Sequence, residues 1–365
     1  MIFLFLVILN CYVVILAKHF IVLLDQSSTL LDISVLDKID SKGMYKIYDK
    51  WPQIARESFD MIQKQVEFSD INHIVFAGMG GSGAIGDIFS SILSKTNIHV
   101  CVVKGYLLPR TVDSKTLVVT TSITGNTKET LTVLDSAKNS NCKIIAFSSG
   151  GKMQDFCSKN KIEFRNIPQL HSPRASFTSF LYSMLKVLKP VLPIEKKEVI
   201  ESINYLKNLN AMISSENLTE ENPSIQLARW ISDIPLIYYP GGLYAAAIRF
   251  KNSLQENAKC HALAEDVIEA CHNGIVSWSR RSNVKPILIR GKDDYSKTKD
   301  RWKIFKEYFE KNDIDYKEIV SVKGGILSKL IHLIYLLDYS TIYLAILSKI
   351  DPSPIDAIDF VKNRL

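Results

Sequence analysis

From Tyr45 onward, short apolar runs of strand length alternate with longer stretches of helical spacing, and this alternation leaves few architectures open to the chain. Residues 45–68 have the pattern of one amphipathic helix. In HIVFAGMGGSGAIGDIF, residues 74–77 suit a buried strand, the glycines a turn and residues 84–93 a helix. Strands are predicted at 99–103, 116–121, 143–147 and 163–166, and helices at 128–139, 152–159 and 176–188. The expected fold is α/β, with doubly wound parallel sheets covered on both faces by helices.

Pro190 and Pro193 interrupt this pattern, and a charged helix over 194–214 leads to a polar segment, 215–224, where a domain boundary is expected. Strands then recur at 234–239, 285–290 and 315–320, and helices at 245–258, 300–311 and 327–348. IPLIYYPGG followed by LYAAAIRFKNSL echoes the strand, glycines and helix of the first half, as an old duplication would. The organisation read from the sequence is an apolar extension (1–29), a first domain (30–190), a linker helix (191–221) and a second domain (222–365). A chain of 365 residues is long enough for two such units.

With 47% hydrophobic and 23% charged residues, the chain is neither disordered nor fibrous in composition. The net charge of +7 comes from dispersed Lys and Arg, which suits a small anionic ligand and speaks against nucleic acid. None of the six cysteines (Cys11, Cys101, Cys142, Cys157, Cys260, Cys271) falls at CxxC spacing. Neither zinc nor a disulfide framework is indicated, and reduced thiols point to the cytoplasm. Residues 1–17 are apolar apart from Asn10, but the run is short for a membrane span and lacks the flanks of a signal peptide. A mis-assigned start or an anchor are the two readings of this extension.

GMGGSG, residues 78–83, satisfies the GxGxxG pattern through Gly78, Gly80 and Gly83. A dinucleotide site also wants an acidic residue at the end of the next strand, and here that strand ends in Lys104, so no nucleotide cofactor is expected. What remains is a backbone that an anion can approach closely at Gly81, a hydroxyl at Ser82 and the positive end of the following helix. A second hydroxyl cluster, TSITGNTKETL, follows the apolar strand TLVVT and opens a helix. Ser122, Thr124 and Thr127, gathered by a turn at Gly125, describe a phosphate cup, with ordinary helix capping as the competing reading.

These residues resemble the SIS (sugar isomerase) domain, whose phosphate loop reads SxSGxT. From about Leu30 to the end, the chain resembles the bifunctional phosphoglucose/phosphomannose isomerase family of archaea and some bacteria. The resemblance rests on GGSG, TSITGNT, SPRAS around Arg174, QENAK at residues 255–259, CHNGIVSW at 271–278 and the closing DPSPIDAIDFVKNRL. It implies two SIS-type, flavodoxin-like units in tandem. The family loop usually reads SYSGNT, so Thr124 stands for a serine and keeps the hydroxyl. Ile123 stands for a tyrosine and leaves the polarity of the pocket open.

The implied reaction interconverts glucose or mannose 6-phosphate with fructose 6-phosphate, by ring opening and proton transfer through an enediolate, with neither metal nor cofactor. The resemblance assigns the general base to Glu256, whose alternative is a surface glutamate paired with Lys259 or capping its own helix. It gives His272 a part in ring opening, supplied by the neighbouring subunit of a homodimer, and Lys362 an assisting role. Arg174 would stabilise the enediolate. Three other readings compete: a non-catalytic SIS module sensing a sugar phosphate, an isomerase of a pentose or amino-sugar phosphate, and a dehydrogenase. The first lacks the N-terminal DNA-binding helix pair such regulators carry, QENAK and the second half argue against the next, and Lys104 weakens the last.

Overall fold

The computed structural model describes residues 31–364; the apolar extension lies outside the described residues. β1 (His73–Ala77), β2 (His99–Val103), β3 (Thr116–Ser122), β4 (Lys143–Ser148) and β5 (Glu163–Asn166) form one sheet in the order β2-β1-β3-β4-β5. β6 (Ile234–Tyr239), β7 (Leu263–Asp266), β8 (Val284–Arg290) and β9 (Lys317–Val320) form a second in the order β7-β6-β8-β9. Every pairing is parallel. The first order is the flavodoxin-like one, and the second repeats it without a fifth strand. β1 and β3 are buried at every residue, which is why both read as uninterrupted apolar or small-residue runs.

The helix Ile326–Leu347 forms the centre of the molecule, packing against Lys196–Ile213, Pro223–Trp230, Tyr244–Asn257 and Gly80–Leu93. It is long and apolar enough to cross a membrane, yet 94% of its most apolar window is buried inside the protein. Its side chains join those of both halves in one continuous hydrophobic cluster that runs from Leu31 to Leu347. Within that cluster lies a buried ion pair: Arg249 Nη2 stands 2.6 Å from the Asp338 carboxylate, which also accepts from Ser253 at 2.8 Å and Tyr48 at 3.3 Å. The guanidinium lies 3.8 Å from the ring centre of Phe177.

Three local expectations are corrected. The stretch expected as one helix over 45–68 is two, Met44–Asp49 and Trp51–Asp60, followed by extended chain. Pro52 is the cause, because within a continuous helix its ring would meet the carbonyl of Tyr48 and it has no N–H to offer. The extended chain beyond is fixed at Val66, whose N–H donates to Val187 O at 3.0 Å. Of the glycines after β1, Gly80, Gly81 and Gly83 are not a turn preceding the helix but its first turn, since the helix spans Gly80–Leu93. The polar segment 215–224 ends in a helix, Pro223–Trp230, capped by Asn222, which accepts from the N–H groups of Ser224 and Ile225.

Candidate functional site

Because β1 pairs directly with β3, the two loops singled out in the sequence leave the same carboxyl edge side by side, at the point where the strand order reverses. They touch there: Ile123 N donates to Ser82 Oγ at 3.3 Å. Ser122 Oγ donates to Thr127 Oγ1 at 2.9 Å, which leaves the Thr127 proton free for a ligand. Thr127 begins the helix Lys128–Lys138 without capping it, so the bland reading of this threonine is not the one realised. The helix Gly80–Leu93 likewise starts without a side-chain cap. Two helix starts with unfilled N–H groups flank a set of hydroxyls, an arrangement complementary to a phosphate.

The cup is held from outside. Gly125 has φ of +71°, and a Cβ there would overlap the Gly150 carbonyl, so no other residue can take its place without moving the loop. Thr124 Oγ1 accepts from Asn126 N at 3.3 Å, and Asn126 Oδ1 accepts from Lys152 N at 3.1 Å. Ile123 is 2% exposed and belongs to the main core, so the residue standing where the family has tyrosine packs into the hydrophobic interior.

Opposite the cup lies Arg174, 5% exposed, in a loop whose backbone is pinned by two core side chains. Arg249 Nη2 donates to Arg174 O at 3.0 Å, and Trp51 Nε1 donates to Ala175 O at 3.0 Å. The guanidinium donates from Nε to Asn257 Oδ1 at 2.6 Å and from Nη2 to the carbonyls of Pro352 at 2.6 Å and Ser353 at 3.1 Å. Its remaining nitrogen, Nη1, faces Glu256 Oε2 at 3.5 Å. Glu256 sits in the last turn of the helix Tyr244–Asn257 and opens on a cleft of about 550 Å³, lined also by Gly80, Asn252, Gln255, Lys259 and Pro354. Gly81, next to Gly80, packs against Pro173 and Arg174, so the phosphate loop and the Arg174 loop share a wall.

The structure thus brings together Gly81, Ser82, Ser122, Thr124, Thr127, Arg174 and Glu256. His272 and Lys362 are exposed and do not line this cleft. His272 follows the short helix Val267–Ala270 beyond β7, whereas Lys362 ends the helix Asp356–Lys362, whose first residues do border the cleft. Lys259 is not the partner of the Glu256 carboxylate. Its amine donates to the carbonyls of Glu256 at 2.6 Å, Pro354 at 2.9 Å and Pro352 at 3.2 Å, and burial pushes its pKa below the usual lysine range. Asn257 and the Pro352–Pro354 strap escaped the sequence reading; their place inside the QENAK and DPSP motifs was the only sign.

Fold and site together define a SIS-domain protein in which the Arg174 loop joins a hydroxyl-lined loop pair to a cleft that bears Glu256. Residues 67–187 match the SIS domain family, and residues 220–365 match the bacterial phospho-glucose isomerase C-terminal SIS domain. A bifunctional phosphoglucose/phosphomannose isomerase of Caldicellulosiruptor bescii is 31% identical over 337 residues, covering 88% of this chain and 98% of that protein. One from Aquifex aeolicus is 28% identical, covering 89% and 96%. Among solved structures, a hypothetical protein from Thermus thermophilus superposes with a TM-score of 0.68 at 13% identity, over 96% of this chain and 95% of that one. The chain belongs to the bifunctional phosphoglucose/phosphomannose isomerase family.

Proposed function

We propose that this protein interconverts glucose 6-phosphate and mannose 6-phosphate with fructose 6-phosphate. The observation that carries the reading is the Arg174–Glu256 pair at 3.5 Å, in a cleft whose wall continues into the Ser82 and Ser122–Thr127 cup. The phosphate is held by Ser122, Thr124, Thr127, Ser82 and the N–H groups at Gly81. The open-chain sugar then extends toward Glu256, which removes the proton from C2 of the aldose and returns it to C1. As the proton leaves, negative charge grows on the two oxygens, and the Arg174 guanidinium, already fixed by three neutral acceptors, meets it without reorganising. Glucose and mannose 6-phosphates differ only at C2 and give the same enediolate, so a single base serves both.

His272 assists ring opening from the neighbouring subunit of a homodimer, and Lys362 completes the set from the terminal helix. What supports this reading is the family resemblance around both residues and the distance of His272 from the cleft of its own chain. The reduced, scattered cysteines support a cytoplasmic enzyme.

Coupled assays on both sugar phosphates test the reaction. Wild-type protein turns over both, and Glu256→Gln loses at least about 100-fold in kcat with substrate affinity near normal; undiminished turnover in that variant overturns the base. Mixing Glu256→Gln with His272→Ala subunits restores about a quarter of the sites if histidine crosses a twofold interface. No recovery from a mixture shown to exchange subunits refutes that part.

A further inference from the structure

Asn257 follows the base directly in sequence, is fully buried, and cannot touch a substrate. Its side chain is nevertheless wired to the site. Thr341 Oγ1 donates to Asp338 O at 2.7 Å, so its proton is spent and it can only accept from Asn257 Nδ2, 2.8 Å away. That contact fixes the orientation of the amide. Oδ1 is thereby turned to Arg174 Nε, at 2.6 Å. The three groups that bind Nε and Nη2, the Asn257 amide and the carbonyls of Pro352 and Ser353, are all uncharged. Among the described residues, the one carboxylate in contact with the guanidinium is Glu256.

We propose that Asn257, oriented by Thr341, is a positioning residue that anchors Arg174 through a neutral acceptor, so that the full cationic charge stays directed at Glu256 and at the oxyanion of the reaction. This rests on the proposed isomerase reading. An aspartate would fit the same space and bind the same nitrogen more strongly, and for that reason it would be the wrong residue: a buried carboxylate beside Nε would take up the charge that the transition state needs. The requirement is for a hydrogen-bond acceptor without a charge, which among side chains of this size only asparagine meets.

The test compares Asn257→Asp with wild type and Glu256→Gln, using fructose 6-phosphate. The expected result is a folded protein whose KM is within about twofold of wild type, because the phosphate contacts lie in other loops, and whose kcat falls at least about tenfold. A purely structural role predicts an unchanged kcat, since the isosteric change keeps the contact to Arg174. Wild-type kcat in Asn257→Asp, with Glu256→Gln inactive, overturns this inference alone. Activity in Glu256→Gln overturns the functional reading beneath it. If Asn257→Asp does not fold, Thr341→Val decides: it leaves Asn257, Arg174 and Glu256 intact but frees the amide to turn, and it lowers kcat with KM unchanged. An unaltered kcat in Thr341→Val then refutes the proposal.

Discussion

The carboxyl edges of the two sheets share a strand order and carry opposite chemistry. Beyond β2 the first sheet offers Lys104, paired with Asp87 at 2.6 Å, and beyond β3 a hydroxyl cup. At the corresponding places beyond β7 and β8 the second offers two carboxylates. Asp266 caps the short helix after β7, accepting from Ile268 and Glu269 N–H groups. Asp294 fills the loop after β8, accepting from Gly291 N at 3.0 Å and Trp302 Nε1 at 3.1 Å; a Cβ at Gly291 would overlap it. The place lined by hydroxyls in one half is thus occupied by a carboxylate in the other. The helix after the first central strand is used differently as well. In the first half its N-terminus lies beside the hydroxyl cup, and in the second its last turn presents Glu256. A shared fold settled where a site could form, and loop residues settled which half has it.

The largest expected effect probes whether the halves are separate bodies at all. Arg249 and Asp338 come from the second half, yet the guanidinium packs on Phe177 and holds the Arg174 carbonyl of the first. Asp338→Asn strands a buried cation and is expected to cost about 3–5 kcal/mol in urea denaturation, in one transition seen alike from Trp51 and Trp302. Two separated transitions would break the picture of a common core.

Next in size is an acid sensitivity seated in the second half. Burial pushes the His332 imidazole down to about 4, with Nδ1 left unpartnered. The unfolded chain binds its proton near 6.5, so it gains protons over the folded state as pH falls from about 6.5 to 4. Native stability is lost across that window, by up to about 3 kcal/mol. His332→Leu should flatten that part of the stability profile. Burial and the neighbouring His99 also depress His73 in the first half, so a residual slope is expected there.

The smallest pair of effects is the sharpest contrast. Thr127→Val removes from the cup the hydroxyl whose proton Ser122 leaves free, and it is expected to raise KM roughly tenfold, the equivalent of one charge-assisted hydrogen bond. Asp294→Asn, at the corresponding loop of the second sheet, should leave KM unchanged. A KM that responds to Asp294 would mean that both edges meet substrate.

Much of this was legible in the chain. The fully buried β1 and β3 and the hydroxyls of residues 122–127 announce themselves locally, because a parallel strand buried on both faces admits little but apolar residues. β7 did not: LAED is a four-residue edge strand with two acids, paired only to β6. The helix Pro223–Trp230 was signalled by asparagine followed by proline, a cap and a first-turn residue, but polar neighbours hid it. Glu256 and Arg174 were found by their motifs. Their mutual geometry was not, because Asn257 lies 83 residues from Arg174, and the carbonyls of Pro352 and Ser353 lie 178 and 179 away. Backbone acceptors carry no side-chain signature, so nothing in the sequence marks them.

Pro352 O receives hydrogen bonds from both Arg174 and Lys259, so one peptide group near the end of the chain ties the arginine loop to the helix that bears the base. During synthesis, Arg174 and Glu256 both emerge from the ribosome before this knot can be drawn. A nascent chain can therefore have both sheets folded while the arginine still lacks two of its acceptors, and a nick at residues 350–354 would loosen that anchor and sever the terminal helix with Lys362 while both sheets stay whole.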